Sequence, residues 1–447
     1  MKIPMPPPAT EPVLRRLLSQ PERLMAALYS SRRDVSQRYL PWDELRYRSP
    51  PDGLTIDEYW AAVKLGRRQL QRPLPLLDRN SKPFSFALPD DVLEHVEAVN
   101  RDLSGRIAMS EQVTNPATRD RFLVSSLMEE AITSSQLEGA MTSRHVAKEM
   151  IRTGRPPRTR DERMILNNYH AMLRIREVAD QDLTPDQIFE IHRVVTDGTL
   201  DNADSAGRLQ RPDEVRVAVY DDKGHVLHTP PPAFELPERM TRLCAFANGA
   251  TEGGYVPPVL RAITVHFMLG YDHPFEDGNG RTARALFYWC MLRYGYWLTE
   301  FLAISRILRA APGKYARSFL HTEQDDNDLT YFHAYQLKVL RRAVSELHQY
   351  LARKAAELHD LQRLLAAGQV FNHRQAALLS HAVRNPGAHY TTESHSRSHR
   401  TSIETARQDL RGLETVGLLV KRRRGKGFTW TPVPDLVERL QSSSPRP

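Results

Sequence analysis

Apolar residues recur every three to four positions through most of the chain, which is the spacing of one buried helix face. Over the middle of the chain this spacing predicts a series of helices, at Arg119–Leu137, Ser143–Thr153, Thr159–Val178, Thr184–Thr196, Glu235–Ala247, Pro257–Gly270 and Gly280–Tyr294. A longer run from Leu329 to Ala366 predicts one extended connector helix. Nearer the start, Val13–Tyr29 and Thr55–Leu70 are further candidates in a broken pattern. The chain is therefore predicted to be mainly α-helical.

One segment departs from the helical spacing. Residues 215–220 alternate between apolar and polar at a period of two, and residues 225–228 follow after a turn that contains Gly224. Pro230 then ends the pattern. This arrangement predicts a single small β-hairpin at 215–228. Since an isolated two-stranded hairpin is marginally stable, we expect it to pack against the helices or to serve a partner.

The segment 367–447 has its own order of predicted elements. Three short helices, the last at Thr401–Val416, precede two strands that flank a turn at 421–426. This order is typical of a winged helix-turn-helix domain. The sequence thus predicts four parts: an N-terminal helical region at 1–109 with no assigned role, a helical core at 110–335, a connector helix at 336–366 and a winged-helix domain at 367–447.

Positive charge is concentrated in this last domain. Five of the six residues in the turn 421–426 are Lys or Arg, and further arginines lie on the helices before it, at Arg397, Arg400, Arg407 and Arg411. Such a cluster favours contact with phosphates, so DNA is a predicted partner. A protein-docking role stays open as well, because Glu404 and Glu414 reduce the basic character of the same helix.

Composition changes this picture little. Apolar residues make up 40% and charged residues 26% of the chain, as in ordinary soluble globular proteins. The net charge of +8 permits a phosphate-rich partner without requiring one. Cys244 and Cys290 lack metal-ligand or redox spacing, which indicates buried thiols in a reducing compartment. No signal peptide and no run of about 18 apolar residues occurs, so we expect a cytoplasmic protein without a membrane partner.

The densest chemical signal lies between Tyr271 and Arg284. Pro274 should end the preceding helix, and the Gly-Asn-Gly turn leaves the backbone open where the next helix begins. The free N–H groups of a helix N-terminus are a ready anion site. Arg281 and Arg284 lie in the first turn of that helix, where they oppose the helix dipole unless a polyphosphate binds there.

Two further side chains complete this constellation. His273 can act as a general base near neutral pH. Asp277 lies beside the anion site and could face phosphate oxygens only through a cation, for which Mg²⁺ is the usual choice. A base, a metal-binding carboxylate and a phosphate site in one loop indicate transfer of a phosphorus-centred group to a hydroxyl.

The stretch His273–Arg284 resembles the Fic-family signature His-Pro-Phe-x-(Asp/Glu)-Gly-Asn-Gly-Arg-x-x-Arg, with every fixed position filled. The resemblance covers roughly 110–335 and implies a helical Fic core that acts as an ATP-dependent protein adenylyltransferase. His273 would be the catalytic base, and Asp277 would hold Mg²⁺. Phosphate oxygens would contact Gly278, Asn279 and Gly280, and the β/γ end of ATP would contact Arg281 and Arg284.

The same resemblance implies the other partners of this site. AMP would pass to a Ser, Thr or Tyr hydroxyl of a protein substrate. The hairpin at 215–228 corresponds to the family's flap, along which the substrate would dock as an added strand. The alternative is that the hairpin simply covers the nucleotide.

A second motif lies before the core. The run Ser134–Gly139 resembles the family's inhibitory pattern (Ser/Thr)-x-x-x-Glu-(Gly/Asn). The resemblance implies that Glu138 pairs with Arg284 and blocks productive ATP binding, with Ser134 steadying the contact. Removal of AMP by the same site and formation of a homodimer stay open.

One function of another class remains as the alternative. The chain could be a DNA-binding winged-helix regulator whose Fic core senses nucleotide or serves as a scaffold. The presence of both His273 and Asp277 disfavours this alternative, because a scaffold needs neither residue.

Overall fold

The computed structural model describes residues 3–51, 53–104, 116–220, 223–251, 254–367, 371–385, 387–424 and 427–442. They form two compact units, Met1–His348 and Gln349–Pro447, and each is described by itself. Most of the described residues lie in helices, so the mainly α-helical class predicted from the spacing is confirmed. Within the described part of the chain, no helix combines the length and apolarity that crossing a membrane requires.

The first unit is built from helices and two small hairpins. Its helices are α1 (Glu11–Leu18), α2 (Pro21–Ser36), α3 (Trp42–Leu45), α4 (Ile56–Arg68), α5 (Asp90–Ser104), α6 (Pro116–Leu137), α7 (Arg144–Thr153), α8 (Arg160–Glu177), α9 (Pro185–Thr196), α10 (Leu236–Ala247), α11 (Pro258–Asp272), α12 (Asn279–Arg293), α13 (Ile304–Ala310), α14 (Pro312–Gln324) and α15 (Thr330–Ala367), which runs on into the second unit. The strands are β1 (Arg72–Leu77), β2 (Pro83–Phe86), β3 (Val219–Tyr220) and β4 (Val226–His228), paired as β1–β2 and β3–β4.

The centre of the first unit is the pair α11 and α12, which pack against each other. Almost every side chain of α11 is buried, which explains why its sequence is nearly continuously apolar instead of showing a single stripe. Phe267 on α11 and Trp289 on α12 are fully buried. The loop that joins these two helices carries the predicted active-site residues, and its ends are therefore held by the most buried elements of the unit.

The hairpin β1–β2 was not predicted from the sequence. Its strands pair antiparallel with an irregular register between Pro73 and Leu77. The prolines that interrupt this ladder also concealed it, because proline argues against a strand. Phe84 of β2 is fully buried and packs edge-on against Phe267 and Tyr271 of α11, at ring-centroid distances of 5.4 and 5.0 Å. Part of the N-terminal region thus braces the helix that leads into the predicted site.

The single helix expected at Val13–Tyr29 is wrong. Two helices, α1 and α2, occupy this segment, and α2 begins at Pro21. Proline lacks the N–H that would continue the first helix and favours the first turn of a new one.

The second unit contains, besides the end of α15, the helices α16 (His373–Arg384), α17 (Thr392–His399), α18 (Ile403–Thr415) and α19 (Leu436–Ser442), with strands β5 (Leu419–Arg424) and β6 (Gly427–Pro432). The strands pair in an unbroken antiparallel register from Leu419 opposite Pro432 to Arg424 opposite Gly427. Tyr390 adds a bridge to Trp430 on the other side of β6. A small core of its own, which includes Leu379, Leu410 and Trp430, holds these elements together.

Candidate active site

The loop between α11 and α12 begins with an abrupt helix end. His273 caps α11 in the left-handed conformation, with φ of 44°, and Pro274 follows it. A non-glycine residue in this conformation costs of order 1–3 kcal/mol and persists only where surrounding contacts hold it. Here the His273 N–H donates to the Leu269 carbonyl at 3.1 Å, and the His273 carbonyl accepts from Arg216 Nη1 at 3.1 Å.

The His273 imidazole is in the state that a general base requires. Burial lowers the pKa of His273 to about 4, so the ring is neutral at physiological pH. Its Nδ1 lies 3.4 Å from the Gly270 carbonyl, which can only accept a hydrogen bond. Nδ1 therefore carries the proton, and Nε2 keeps the unshared pair that could remove a proton from a hydroxyl.

At the other end of the loop, α12 starts in the manner of an anion site. Gly278 precedes the helix with φ of 83°, and its carbonyl accepts the first helical hydrogen bond, from Thr282. The N–H groups of the first helical turn, which begins at Asn279, have no partner inside the helix. Such groups point at whatever lies before the helix and favour negative charge there.

The side chain of Asn279 binds the backbone of its own loop. Its Oδ1 accepts from the Phe275 N–H at 2.9 Å, and its Nδ2 donates to the Phe275 carbonyl at 2.8 Å. This reciprocal pair ties the helix start back to the loop. Only the backbone N–H of Asn279 is left to face an anion.

The two arginines of the first turn lie in unlike surroundings. Arg281 is fully buried and donates to the Val195 carbonyl at 3.1 Å, and its Nη2 lies 3.4 Å from Asp277 Oδ2. Arg284 is also buried, but its guanidinium faces α6. Burial opposes the charge of Arg284, yet nearby Glu138 holds the pKa above its usual value, so this cation persists in the interior. The partners of Arg281 thus lie in its own loop and on α9, whereas those of Arg284 lie elsewhere in the fold.

The motif at the end of α6 supplies those partners. Glu138 Oε1 lies 2.8 Å from Arg284 Nη2. Ser134 accepts from the same guanidinium twice, through Oγ from Nε at 2.8 Å and through its carbonyl from Nη2 at 3.0 Å. The structure thus brings together the two motifs that the sequence analysis singled out, although they lie far apart in the chain.

The Glu138 carboxylate also occupies the space in front of α12. A Cβ atom placed on Gly280 would lie 2.2 Å from Glu138 Oε1, so the carboxylate sits directly on the first helical turn. That position is where the free N–H groups favour an anion. A side chain at this position would force the Glu138 carboxylate to move.

Asp277 is the exposed member of the loop, with half of its side chain accessible. Its Oδ1 accepts from the Gly278 N–H at 2.5 Å, and its Oδ2 lies 4.0 Å from Arg160 Nη2. Among the described residues, no three His, Cys, Asp or Glu side chains converge as a metal site. A lone carboxylate beside an anion site fits Mg²⁺ whose remaining ligands are phosphate oxygens and water.

The flap is shorter than the sequence predicted. Strand structure begins at Val219 instead of at residue 215, and residues 215–218 are not a strand. The physical reason is Arg216, whose guanidinium turns inward to donate to the Pro231 carbonyl at 2.9 Å and the Asp272 carbonyl at 2.6 Å. These bonds fasten the first arm of the flap to the segment after β4 and to the end of α11.

Both arms of the flap are fastened to the end of α11. Arg216, on the first arm, donates to the Asp272 and His273 carbonyls. His228, at the end of β4, places Nε2 at 2.7 Å from the Tyr271 carbonyl. The last carbonyls of a helix need partners from outside it, and here the flap provides them.

Sequence reasoning missed two side chains that shape this site. His192 on α9 lies beneath the loop, where burial lowers its pKa to about 4. Its position between buried Ile188 and Val195 could have placed it on the core face of α9. Arg216 carried no such signal, because its partners are backbone carbonyls, which leave no pattern in a sequence.

Comparison with known proteins shows which family the residues of this site resemble. Residues 182–291 match the Fic/DOC family. Protein adenylyltransferase Fic from Culex quinquefasciatus is 35% identical over 114 residues, or 26% of this chain and 20% of that protein. Protein adenylyltransferase fic-1 from Caenorhabditis elegans is 34% identical over 117 residues, again 26% of this chain and 20% of that protein.

A solved structure extends the likeness in fold. The crystal structure of a Fic family protein from Desulfovibrio desulfuricans G20 has a TM-score of 0.51 at 18% identity and covers 77% of this chain and 96% of that chain. At this identity the likeness concerns the fold alone. The mainly helical fold of this chain is thus similar to that of a Fic family protein.

The family match over residues 182–291 confirms the resemblance stated from the motif. The match spans about a fifth of the length of each adenylyltransferase relative, 20% in both cases.

Proposed function

We propose that this chain transfers AMP from ATP to a hydroxyl side chain of a protein. The observation that carries the proposal is the placement of a neutral imidazole, His273, at one end of a loop whose other end is the open N-terminus of α12 beside Arg284. This arrangement supplies a base and an anion site to one bound molecule. The adenylyltransferase names of the relatives support the choice of AMP as the group transferred.

The chemistry follows from these positions. Nε2 of His273 takes the proton of a Ser, Thr or Tyr hydroxyl, and the freed oxygen bonds to the α-phosphorus of ATP. The bond from that phosphorus to the oxygen bridging to the β-phosphate breaks, and pyrophosphate leaves. The N–H groups at the start of α12 stabilise the charge on the phosphate oxygens, while Arg284 holds the terminal phosphates.

Asp277 is the residue that would hold Mg²⁺ in this reaction. A bound Mg²⁺ neutralises phosphate charge and orients the leaving group. The carboxylate of Asp277 is half exposed, so an ion can reach it from solvent. Arg281, buried beneath it, limits how far that carboxylate can move.

The same geometry supports autoinhibition by Glu138. Its carboxylate lies over Gly280 and neutralises Arg284, so it occupies the anion site and the guanidinium that the phosphates would use. Ser134 holds Arg284 in the paired position. In the resting chain, ATP would have to displace this carboxylate before its phosphates could align with His273.

The flap supports docking of an extended protein segment. Val219, Tyr220 and Val226 present exposed apolar side chains on its two short strands. Apolar residues beside unpaired strand edges are suited to strand addition by a partner. Because Arg216 ties the flap to the His273 carbonyl, a segment docked there would lie near the base.

The position of the transferred label in ATP distinguishes AMP transfer from other phosphoryl transfers. With Mg²⁺ and the Glu138→Gly chain, we expect protein labelling from ATP labelled at the α-phosphorus and none from ATP labelled at the γ-phosphorus. Labelling from the γ-position would mean phosphorylation instead, and labelling from neither would remove the proposal.

In the same assay, Val219→Pro should lower labelling of added proteins, whereas Val215→Pro, outside the strand, should not.

A second candidate function concerns the second unit. The exposed arginines of its described surface include Arg397, Arg400, Arg407, Arg411, Arg422 and Arg423. The helix α18 presents two of them, Arg407 and Arg411, one turn apart on its exposed face. This distribution supports binding of duplex DNA by α18 and the β5–β6 hairpin, in a winged-helix arrangement.

DNA binding predicts a dependence on salt. The full chain should bind a fluorescent DNA duplex with an affinity that falls steeply as salt rises. Arg422→Gln/Arg423→Gln should weaken binding and make the slope of log K against log salt shallower by about 1 to 2. Arg32→Gln/Arg33→Gln, an exposed pair in α2, is the matched control and should leave the slope unchanged. An affinity that ignores salt would favour a protein partner.

A further inference from the structure

His192 lies directly beneath the loop that carries Asp277. It is fully buried on α9. Its ring stacks on Phe275, with centroids 3.8 Å apart and planes 11° from parallel. Nε2 lies 2.8 Å from the Asp277 carbonyl, and Nδ1 lies 2.8 Å from the Gly207 N–H. One side chain thus contacts the loop through both its face and its edge.

The partners of the ring fix its hydrogen-bonding state. The Gly207 N–H can only donate, so Nδ1 of His192 must accept. In a neutral imidazole the proton then resides on Nε2, which donates to the Asp277 carbonyl. The ring therefore has one tautomer available, and its bond to the Asp277 peptide has a fixed direction.

The space around this contact leaves the loop little freedom. A Cβ atom on Gly278 would lie 2.7 Å from Thr196 Cγ2 and 3.4 Å from His192 Nε2. The loop is thus pressed against the last turn of α9. Arg281 also binds that turn, through the Val195 carbonyl. His192 therefore holds the Asp277 peptide, and Arg281 pairs with the Asp277 carboxylate.

We propose that His192 is a positioning residue for the metal site, which holds the Asp277 backbone so that the carboxylate faces the anion site at α12. This inference rests on the proposed function, because it concerns the carboxylate that would hold Mg²⁺. His192 itself would touch neither nucleotide nor metal. Partners that orient a metal ligand typically contribute 10- to 100-fold to metal affinity.

His192 also connects the loop to the stem of the flap. Gly207 belongs to the segment that leads into the flap, and three residues later the Gln210 N–H donates to the Pro274 carbonyl at 2.9 Å. The flap stem therefore meets the loop at two places, and the imidazole is one of them. Removing its polar atoms would loosen the Asp277 peptide on both sides.

The test is a substitution that keeps the ring and removes its polar atoms. In the Glu138→Gly background saturated with a non-transferable ATP analogue, calorimetric titration of Mg²⁺ should give a dissociation constant roughly tenfold higher for His192→Phe. His192→Gln, whose amide can donate to the Asp277 carbonyl, should recover most of that loss. Binding of the analogue in EDTA should be the same for all three chains.

A matched control separates positioning from stability. His333 is another fully buried histidine, and its ring contacts Thr264 on α11 through Nε2 and Phe86 on β2. His333→Phe should lower the melting temperature without changing the Mg²⁺ affinity. An unchanged Mg²⁺ affinity in His192→Phe would overturn the inference. If His192→Phe fails to fold, the test passes to a folded His192→Gln. A Mg²⁺ affinity of His192→Gln as low as that of Asp277→Asn would show that a hydrogen-bond donor to the Asp277 carbonyl does not matter, and this result would also overturn the inference.

Failure of the proposed function would give a different result. If the Glu138→Gly parent neither binds Mg²⁺ with the analogue nor transfers α-label, the metal site itself is absent. If the parent does both and His192→Phe matches it in Mg²⁺ affinity, only the role of His192 is lost.

Discussion

Glu138→Gly should raise the rate of AMP transfer by roughly 10- to 100-fold, because a charge-assisted contact to a buried guanidinium is worth about 1.5–3 kcal/mol. The substitution removes the carboxylate that lies 2.8 Å from Arg284 and fills the space over Gly280. Glu138 follows the last residue of α6, so glycine there does not interrupt a helix. The measurement is incorporation of α-label with Mg²⁺ in excess and ATP well below saturation, where the carboxylate still competes with the phosphates.

The control for this prediction is another ion-paired glutamate of the same helix. Glu129 pairs with Arg144 and Lys148, at 2.7 and 3.2 Å, and does not contact Arg284. Glu129→Ala should leave the rate of label transfer at the parent level. Equal rates for the parent and for Glu138→Gly would show that the carboxylate does not restrain the site.

His273→Ala in the Glu138→Gly background should lower the rate of transfer by roughly 100- to 10 000-fold, the usual contribution of a general base. ATP binding, measured by calorimetry, should persist, since the phosphate contacts lie on α12 and Arg284. His170→Ala, at an exposed histidine of α8, should leave the rate unchanged. Undiminished transfer by His273→Ala would place the base on another residue.

The pH profile provides a second measure of this base. Because burial lowers the pKa of His273 to about 4, the neutral form prevails in the free chain at all higher pH values. The value of kcat/KM reports the free enzyme, so it should stay level from pH 8 to about 5 and fall as the pH drops through about 4. A midpoint near 6.5, the value of an unperturbed histidine, would contradict this assignment.

The parts of the site that the sequence predicted are those with a dense local signal. His273, Asp277 and the glycines around Asn279 occupy one short stretch, where proline and glycine set the backbone and each side-chain type suggests a chemistry. The pairing of Glu138 with Arg284 could be expected as well, but only through the resemblance to a family, because nothing in their spacing brings α6 to α12. The mainly helical fold followed from the spacing of apolar residues.

The remaining features depend on tertiary contacts without a sequence signal. The strands β1 and β2 escaped notice because prolines interrupt them, yet Phe84 makes them part of the core. The flap was predicted too long because the alternating pattern at 215–220 gave no sign that the Arg216 guanidinium donates to a carbonyl of α11. The motif also gave no sign that both polar atoms of the Asn279 side chain bind the Phe275 backbone. The hairpin β1–β2 and the length of the flap depend on contacts between residues that lie far apart in the sequence.

The bare backbone at Gly280 has a consequence for how such a chain would respond to its surroundings. The Glu138 carboxylate lies over this residue, where the phosphates of a bound nucleotide would lie. A triphosphate and this carboxylate would then compete for the same space. The fraction of active molecules would therefore rise gradually with nucleotide concentration instead of switching at a fixed threshold. A partner that moved the end of α6 away from α12 would lower the nucleotide concentration at which the chain becomes active.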